Sequence, residues 1–356
     1  MIIFRYISKE IFTALVALTV VLLLIFMSNQ CIQYLNAAAK GRIPGMFILK
    51  LMLLEMPNLV ALLLPLGFYL AIILSYGRLY AESEMTALFV GSYSPQRLLR
   101  HTMLLAAVVA IFVGVLVFWV APWISYERLR ILKSTGVKIL IQTLAPLQFK
   151  TAQNGQLVFY VEGMSKRHET AKNVFIARLL KDEKWQIIWA NEAKGQENQA
   201  TKEDELVLLK GKAYIGEPGK ANYQLVDFNK ANVRLPHPTS NAETDIRTAS
   251  TASLLPFLNQ DKNKAAELQW RISVPVMVLI LAFLAVSLSR VKPRGGKYAN
   301  LLPAILIYVI YANFMFVARN WVVIGKVPVW LGVWWLHFGF FVLAYFLWWR
   351  NARKFG

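Results

Sequence analysis

The chain has 356 residues, 57% of them hydrophobic and 17% charged, with a formal net charge of +19. A soluble globular protein has about a quarter of its residues charged, so a mean hydropathy of +0.45 argues against that class. The charge distribution argues against a nucleic-acid binder, which would concentrate cations on a polar domain: residues 127–267 carry a net +5, and the more apolar remainder carries a net +14.

Six stretches reach the roughly 20 apolar residues that cross a bilayer. The first, Ile11 to about Tyr34, exceeds the apolar core of a cleavable signal peptide, roughly 7–15 residues. The second, Leu51 to Tyr76, contains Glu55 and is interrupted by Pro57 and Pro65, which a membrane helix tolerates where neighbours satisfy the freed carbonyls. Glu55 lies roughly 140° around a helix from Lys50, which disfavours a direct pair and reads as an interfacial position.

Next, Glu82 to Val90 reads as a short helix with carboxylates in its first turn, where the helix dipole favours them. Gly91 is predicted as its left-handed cap, and Ser94 with Pro95 as the cap and first residue of the following helix. Outside the central domain the acids are Glu10, Glu55, Glu82 and Glu84. The close pair either caps the short helix or gives a basic surface an acidic address for a partner.

The third stretch is Thr102 to Ile124, and the chain then becomes β-like. Alternating runs occupy Val137–Ile141, Leu147–Thr151, Gln156–Glu162, Asn173–Leu179, Trp185–Ala190, Glu205–Lys210, Tyr223–Phe228 and Asn232–Leu235. Asn154-Gly155 predicts a type I′ hairpin turn. These runs imply a sandwich, jellyroll or open barrel. Leu157, Phe159 and Val161 share one strand face, which in a sealed sandwich is core. Lys166-Arg167-His168 reads as a solvated turn or a basic rim. Amphipathic connectors are predicted at Ser125–Ser134 and Leu254–Leu268, with a polar linker over Pro236–Thr251.

The last three stretches are Ile272–Ser289, Tyr298–Ala318 and Val327–Trp349. Short inside segments carry twelve Lys and Arg against five outside if the N-terminus is cytoplasmic, which places both termini inside and the β domain outside. Walker A, GxSxG and HExxH motifs are absent, and the four histidines are dispersed. Gly295-Gly296-Lys297 reads as a flexible basic turn, and a lone Cys31 offers no intrachain disulfide.

Tyr80-Ala81-Glu82-Ser83-Glu84-Met85-Thr86 resembles the coupling-helix region of the lipopolysaccharide export permeases, the LptF/LptG family. Met1-Ile2-Ile3-Phe4-Arg5-Tyr6 followed by Glu10, the string Glu267-Leu268-Gln269-Trp270-Arg271-Ile272, and Val291-Lys292-Pro293-Arg294-Gly295-Gly296 before Leu301-Leu302-Pro303-Ala304 are similar to its LptF branch. The resemblance implies a membrane α-helical protein of six transmembrane helices with an inserted periplasmic all-β domain, β-jellyroll-like. Residues 1–126 would hold helices 1–3 and the coupling helix at about 82–90; residues 127–267 the β domain with its connectors; residues 268–356 helices 4–6.

It further implies a bacterial inner-membrane subunit of an ABC transporter that extracts lipopolysaccharide and passes it to a periplasmic bridge. The implied partners are an LptG-like permease, a cytoplasmic LptB-like ATPase dimer, a single-span LptC-like jellyroll protein, an LptA-like bridge protein and lipopolysaccharide itself, with no nucleic acid. ATP would be used by the ATPase, so this chain is not expected to be an enzyme or to bind a cofactor or metal. Glu84, with Glu82 and Met85, would contact the ATPase.

Lipopolysaccharide presents phosphates above acyl chains, so Lys40, Arg42, Arg319 and Lys326 are candidate phosphate contacts, each alternatively an anchor to ordinary phospholipid. Lys50 reads first as such an anchor. Gln30 and Gln33 stand where some relatives have basic residues. Leu157, Phe159 and Val161 are candidates for an acyl-chain conduit. Arg271 beside Trp270 reads as an aromatic-belt pair or a structural link. A mechanotransmitter that regulates an envelope enzyme without moving substrate is the alternative from another class; a lipid-modifying enzyme would need a cluster of acids, His or Cys that the sequence lacks.

Overall fold

The computed structural model describes residues 2–39, 45–91, 93–134, 147, 149–152, 157–165, 170–180, 184–197, 204–220, 222–234, 246–257, 261–290, 298 and 300–352. It divides into a helical unit (Met1–Cys31, Leu51–Arg128, Ser240–Gly356) and a second unit (Ile32–Lys50, Leu129–Thr239) that holds the β domain.

The helices are α1 (Ile2–Ala39), α2 (Ile48–Ala81), α3 (Glu84–Val90), α4 (Pro95–Val115), α5 (Ala121–Ser134), a single turn α6 (Thr251–Leu254), α7 (Lys262–Leu288), α8 (Leu301–Val323) and α9 (Trp334–Ala352). Among the described residues five spans are long and apolar enough to cross a membrane: α1, α2 with its preceding turn, α4 running into α5, α7, and α8. Of the sixth predicted stretch, Val327–Trp349, only the part from Trp334 is helical and forms α9, whose 19 residues reach about 28 Å, while residues 327–333 form a bend and turns. Trp334 and Trp335 stand near one end of it and Trp348 and Trp349 near the other, the arrangement of interfacial aromatic residues.

Inside a bilayer helices gain little from hiding apolar surface from one another, so close approach through small residues takes over. On α4, Thr102, Ala106, Ala110 and Gly114 recur every four residues and are all buried. They form a narrow stripe on the helix that packs most extensively against α7. A Cβ at Gly114 would stand 3.7 Å from Pro275 of α7. The helix α7 also packs against α8 and α9 and is the hub of the unit. Between α4 and α5 the chain makes a π turn over Leu116–Val120, with the Ala121 N–H bonded five residues back to the Leu116 carbonyl.

Ser94 caps α4 as predicted, its hydroxyl accepting from the Arg97 N–H, with Pro95 at the first turn. Gly91 corrects an expectation: it closes α3 with φ −74, and the left-handed residue is Ser83, φ 62, at the other end. The Leu254–Leu268 connector is also broken, because Asp261 starts α7 by accepting from the N–H groups of Asn263 and Lys264.

Among the described residues the β domain is one antiparallel sheet of six strands in chain order: β1 (Lys150–Ala152), β2 (Leu157–Met164), β3 (Thr170–Leu179), β4 (Trp185–Glu197), β5 (Asp204–Gly216) and β6 (Tyr223–Arg234). The all-β insertion is as predicted, with the expected jellyroll taking the form of an up-and-down meander among the described residues. Ala152 pairs with Leu157, so the chain reverses where Asn154-Gly155 stands, although the turn itself, like Val137–Ile141, lies outside the described residues.

The sheet carries a crease. Buried residues Val174, Ala190 and the partly buried Phe228 lie on one face, yet three residues along each strand Ala171, Ala193 and Ala231 also turn inward. An odd shift reverses strand faces. Each of the four ladders from β2 to β6 omits the rung between: Glu162, Asn173, Asn191, Lys210 and Asn229 have no backbone pair in register. Asn173 and Lys210 there have φ 49 and 50. Across this line the sheet folds over one core of Val161, Ile176, Ile188, Leu206, Leu208 and Val233.

Candidate functional site

Two polar clusters lie in the helical unit, near opposite ends of α4. The first gathers around α3. Met85 is fully buried in the helical core, which pins the short helix down, while Glu82 and Val90 face outward. The Glu84 carboxylate accepts from the Tyr6 hydroxyl of α1 at 2.8 Å. Arg78, in the last turn of α2, donates to the same Tyr6 oxygen at 3.3 Å, pairs with Glu10 at 3.2 Å and approaches Glu82 at 4.0 Å. Tyr93 is buried beside α3, where desolvation pushes its hydroxyl above the ordinary tyrosine value, and it hydrogen-bonds His101. Thus the acidic pair is tied through Tyr6 and Arg78 to both α1 and α2, a rigid mounting for a surface helix.

The second cluster is buried. Glu267 and Arg271, 6% and 2% exposed, stand one turn apart on α7. Glu267 accepts from Arg271 Nε at 3.0 Å with one oxygen and from Arg319 of α8 at 2.9 Å with the other. The Arg319 guanidinium also lies over the Trp270 ring, 5.5 Å from its centroid, a cation–π geometry. Arg271 donates to the carbonyls of Ala249 and Arg247 and to the Thr251 hydroxyl. That hydroxyl in turn donates at 2.8 Å to the Phe118 carbonyl inside the π turn. Gln269 completes the group: its amide donates to the Val329 carbonyl and accepts from the Val333 N–H. Gly332, φ 46, allows this approach, since a Cβ there would lie 1.9 Å from the Gln269 oxygen.

Charges removed from water need this degree of satisfaction, because removing one partner leaves another buried and uncompensated. Glu267 therefore clamps two cations, and the chain returning from the β domain is fastened to α7 and to the π turn.

The structure brings only part of the predicted site together. Arg319 is held by Glu267 and Trp270, a partnership not visible when Arg319 is read as an isolated end-of-helix cation. Lys326 is exposed beyond α8, and Lys50 is exposed near the start of α2. Lys40 and Arg42 lie outside the described residues, as do Lys166-Arg167-His168 and Gly295-Gly296-Lys297. Glu55 pairs with Arg128 of α5 at 2.9 Å, a partner 73 residues away that spacing along α2 could not reveal. In the β unit, Val161 is 1% exposed and Phe159 packs partly against the same core. Leu157 lies in β2, its side chain outside the described set. Among the described residues no group of three or more His, Cys, Asp or Glu could hold a metal ion.

The model of the family described as “Lipopolysaccharide export system permease LptF/LptG” matches residues 5–350. The chain is 30% identical over 321 residues to the lipopolysaccharide export system permease protein LptF of Escherichia coli K12, covering 87% of this chain and 84% of that protein. The LptF proteins of Escherichia coli O157:H7 and Shigella flexneri match to the same extent. The match runs through both helical segments and the sheet inserted between them: the chain is a multi-pass membrane protein of the LptF/LptG family of lipopolysaccharide export permeases.

Proposed function

We propose that this chain is the LptF-type permease subunit of an inner-membrane ABC transporter that extracts lipopolysaccharide and passes it to a periplasmic bridge of β domains. The observation that carries this reading is the family match across residues 5–350, combined with a helix–sheet–helix plan. Both termini lie in the cytoplasm and the sheet in the periplasm, as the twelve-to-five distribution of short-segment cations favours.

The mechanism is mechanical. The ATPase dimer hydrolyses ATP, this chain binding no cofactor, and moves α3 through Glu84, with Glu82 alongside and Met85 as the buried pin. Because Tyr6 and Arg78 join α3 to α1 and α2, the push is delivered to two spanning helices at once. A second permease of the LptG type completes the lipid cavity, with Lys40, Arg42, Arg319 and Lys326 as its phosphate contacts on this side. Acyl chains then pass along the face of Leu157, Phe159 and Val161 toward LptC-like and LptA-like domains. In the structure Val161 is sealed, so this step requires the core face to open.

Purification in mild detergent tests the reading. A second permease, an ATPase and lipopolysaccharide should travel with the chain, and Glu84→Lys should lose the ATPase while retaining the second permease. Recovery of the chain with neither lipopolysaccharide nor an ATPase would overturn the assignment.

A further inference from the structure

The outward side of the sheet crease forms an open cavity of about 620 Å³, bounded by Trp189, Asn191, Lys210, Lys212, Tyr214 and Asp227 among others. This falls in the range of small-ligand clefts, about 300–1,000 Å³. It faces away from the core that Val161 and Ile176 build. Trp189 and Tyr214 are 44% and 41% exposed, so two large rings are presented rather than packed away. Phe175 supports the Trp189 ring edge-on, with centroids 6.1 Å apart.

Polar groups converge on the same place. Asn191, Lys210 and Asn229 belong to the rung that the ladders omit, so their side chains project along one line across three strands. Lys210 holds a left-handed backbone, as Asn173 does on the same line, so this conformation accompanies the crease that opens the cavity. The adjoining Gly211 leaves no room for a Cβ, which would stand 2.4 Å from the Trp189 carbonyl. Lys212 and Asp227 pair across the strands at 3.6 Å, leaving two ammonium groups against one carboxylate.

Aromatic faces beside amides, a carboxylate and lysines match one ligand chemistry. A pyranose ring offers an apolar C–H face to an indole or phenol and a rim of hydroxyls to amide and carboxylate groups; excess ammonium charge favours phosphate on that sugar. We infer that this crease is a binding site for a phosphorylated saccharide, separate from the acyl-chain face on the opposite side of the sheet. The inference rests on the permease reading for the source of the sugar, the phosphorylated glycan of lipopolysaccharide, and assigns that glycan a foothold on the sheet.

The test uses full-length protein in nanodiscs, titrated calorimetrically with the phosphorylated oligosaccharide left when lipopolysaccharide is stripped of its acyl chains. Parallel titrations use the same oligosaccharide after phosphatase treatment and glucose 6-phosphate. Saturable binding of the phosphorylated oligosaccharide, weakened about tenfold or more by Trp189→Ala and by Asn191→Ala, and weakened by phosphate removal, supports the site. Asn191→Ala removes an exposed side chain and leaves the sheet core intact, so its effect does not depend on refolding. Stronger binding of glucose 6-phosphate than of the oligosaccharide would overturn lipopolysaccharide as the source. Failure to bind any of the three, or equal binding by all variants, would overturn the site. Copurification of intact lipopolysaccharide with wild-type protein reads the permease assignment separately, so the site can fail while that assignment stands.

Discussion

Glu267 shows how one residue can govern several elements. Its two oxygens hold cations from α7 and α8, and through Arg271 it reaches the returning chain at Ala249 and Thr251. Glu267→Ala leaves the buried Arg271 guanidinium without its carboxylate and takes the same anion from the half-buried Arg319, and the expected loss is about 3–5 kcal/mol, measurable as a lower thermal midpoint in detergent. Arg319→Lys should lower that midpoint less, since an ammonium keeps the charge but loses the guanidinium's place over the Trp270 ring. At the other cluster, Tyr6→Phe removes the hydroxyl bound to Glu84 without removing the carboxylate. Copurification should show the ATPase retained by this variant, in contrast to Glu84→Lys. A structural link from Arg271 was legible in the sequence, whereas its pairing with Glu267 and the 52-residue reach of Glu267 to Arg319 were not, because a carboxylate buried between helices leaves no local periodic signal.

At the scale of elements, the spanning helices were legible because hydrophobic length alone defines them. The sheet was legible only in part. The predicted runs ending at Ala190, Lys210 and Phe228 stop at the crease, where the inward-facing set changes parity, so alternation is lost although the strands continue to Glu197, Gly216 and Arg234. For the same reason β6 reads as two separate runs. Packing at the crease is tight on the backbone side, and Gly211→Val should place carbon against the Trp189 carbonyl and the Phe228 ring. The expected cost is about 1–3 kcal/mol, read as faster proteolysis of the β domain with the helical unit intact. The short helix at 82–90 was also legible, but its mounting was not: Tyr6 and Arg78 are ordinary residues until the fold brings α1 and α2 beside α3.

For the whole molecule, the proposed topology makes a direct prediction. With Cys31 replaced by Ala, a single cysteine introduced at exposed Asn229 should react with a membrane-impermeant maleimide in cells whose outer membrane has been permeabilised. A cysteine introduced at exposed Val90 should react only after the inner membrane is also breached. The reverse pattern would invert the orientation and, with it, the assignment of α3 as the cytoplasmic docking helix.

The π turn at Leu116–Val120 has a consequence of a different kind. A turn of this type absorbs one surplus residue, so the helix after it points as though that residue were absent. Deleting one residue within 116–120 should therefore relax the segment to ordinary α geometry and leave Arg128 aimed at Glu55, while withdrawing the carbonyl that Thr251 grips. The same deletion at Val108 would swing everything downstream by about 100° and break both contacts. The length of this span thus has a tolerance built into one place, and comparing the two deletions for folded yield would locate it.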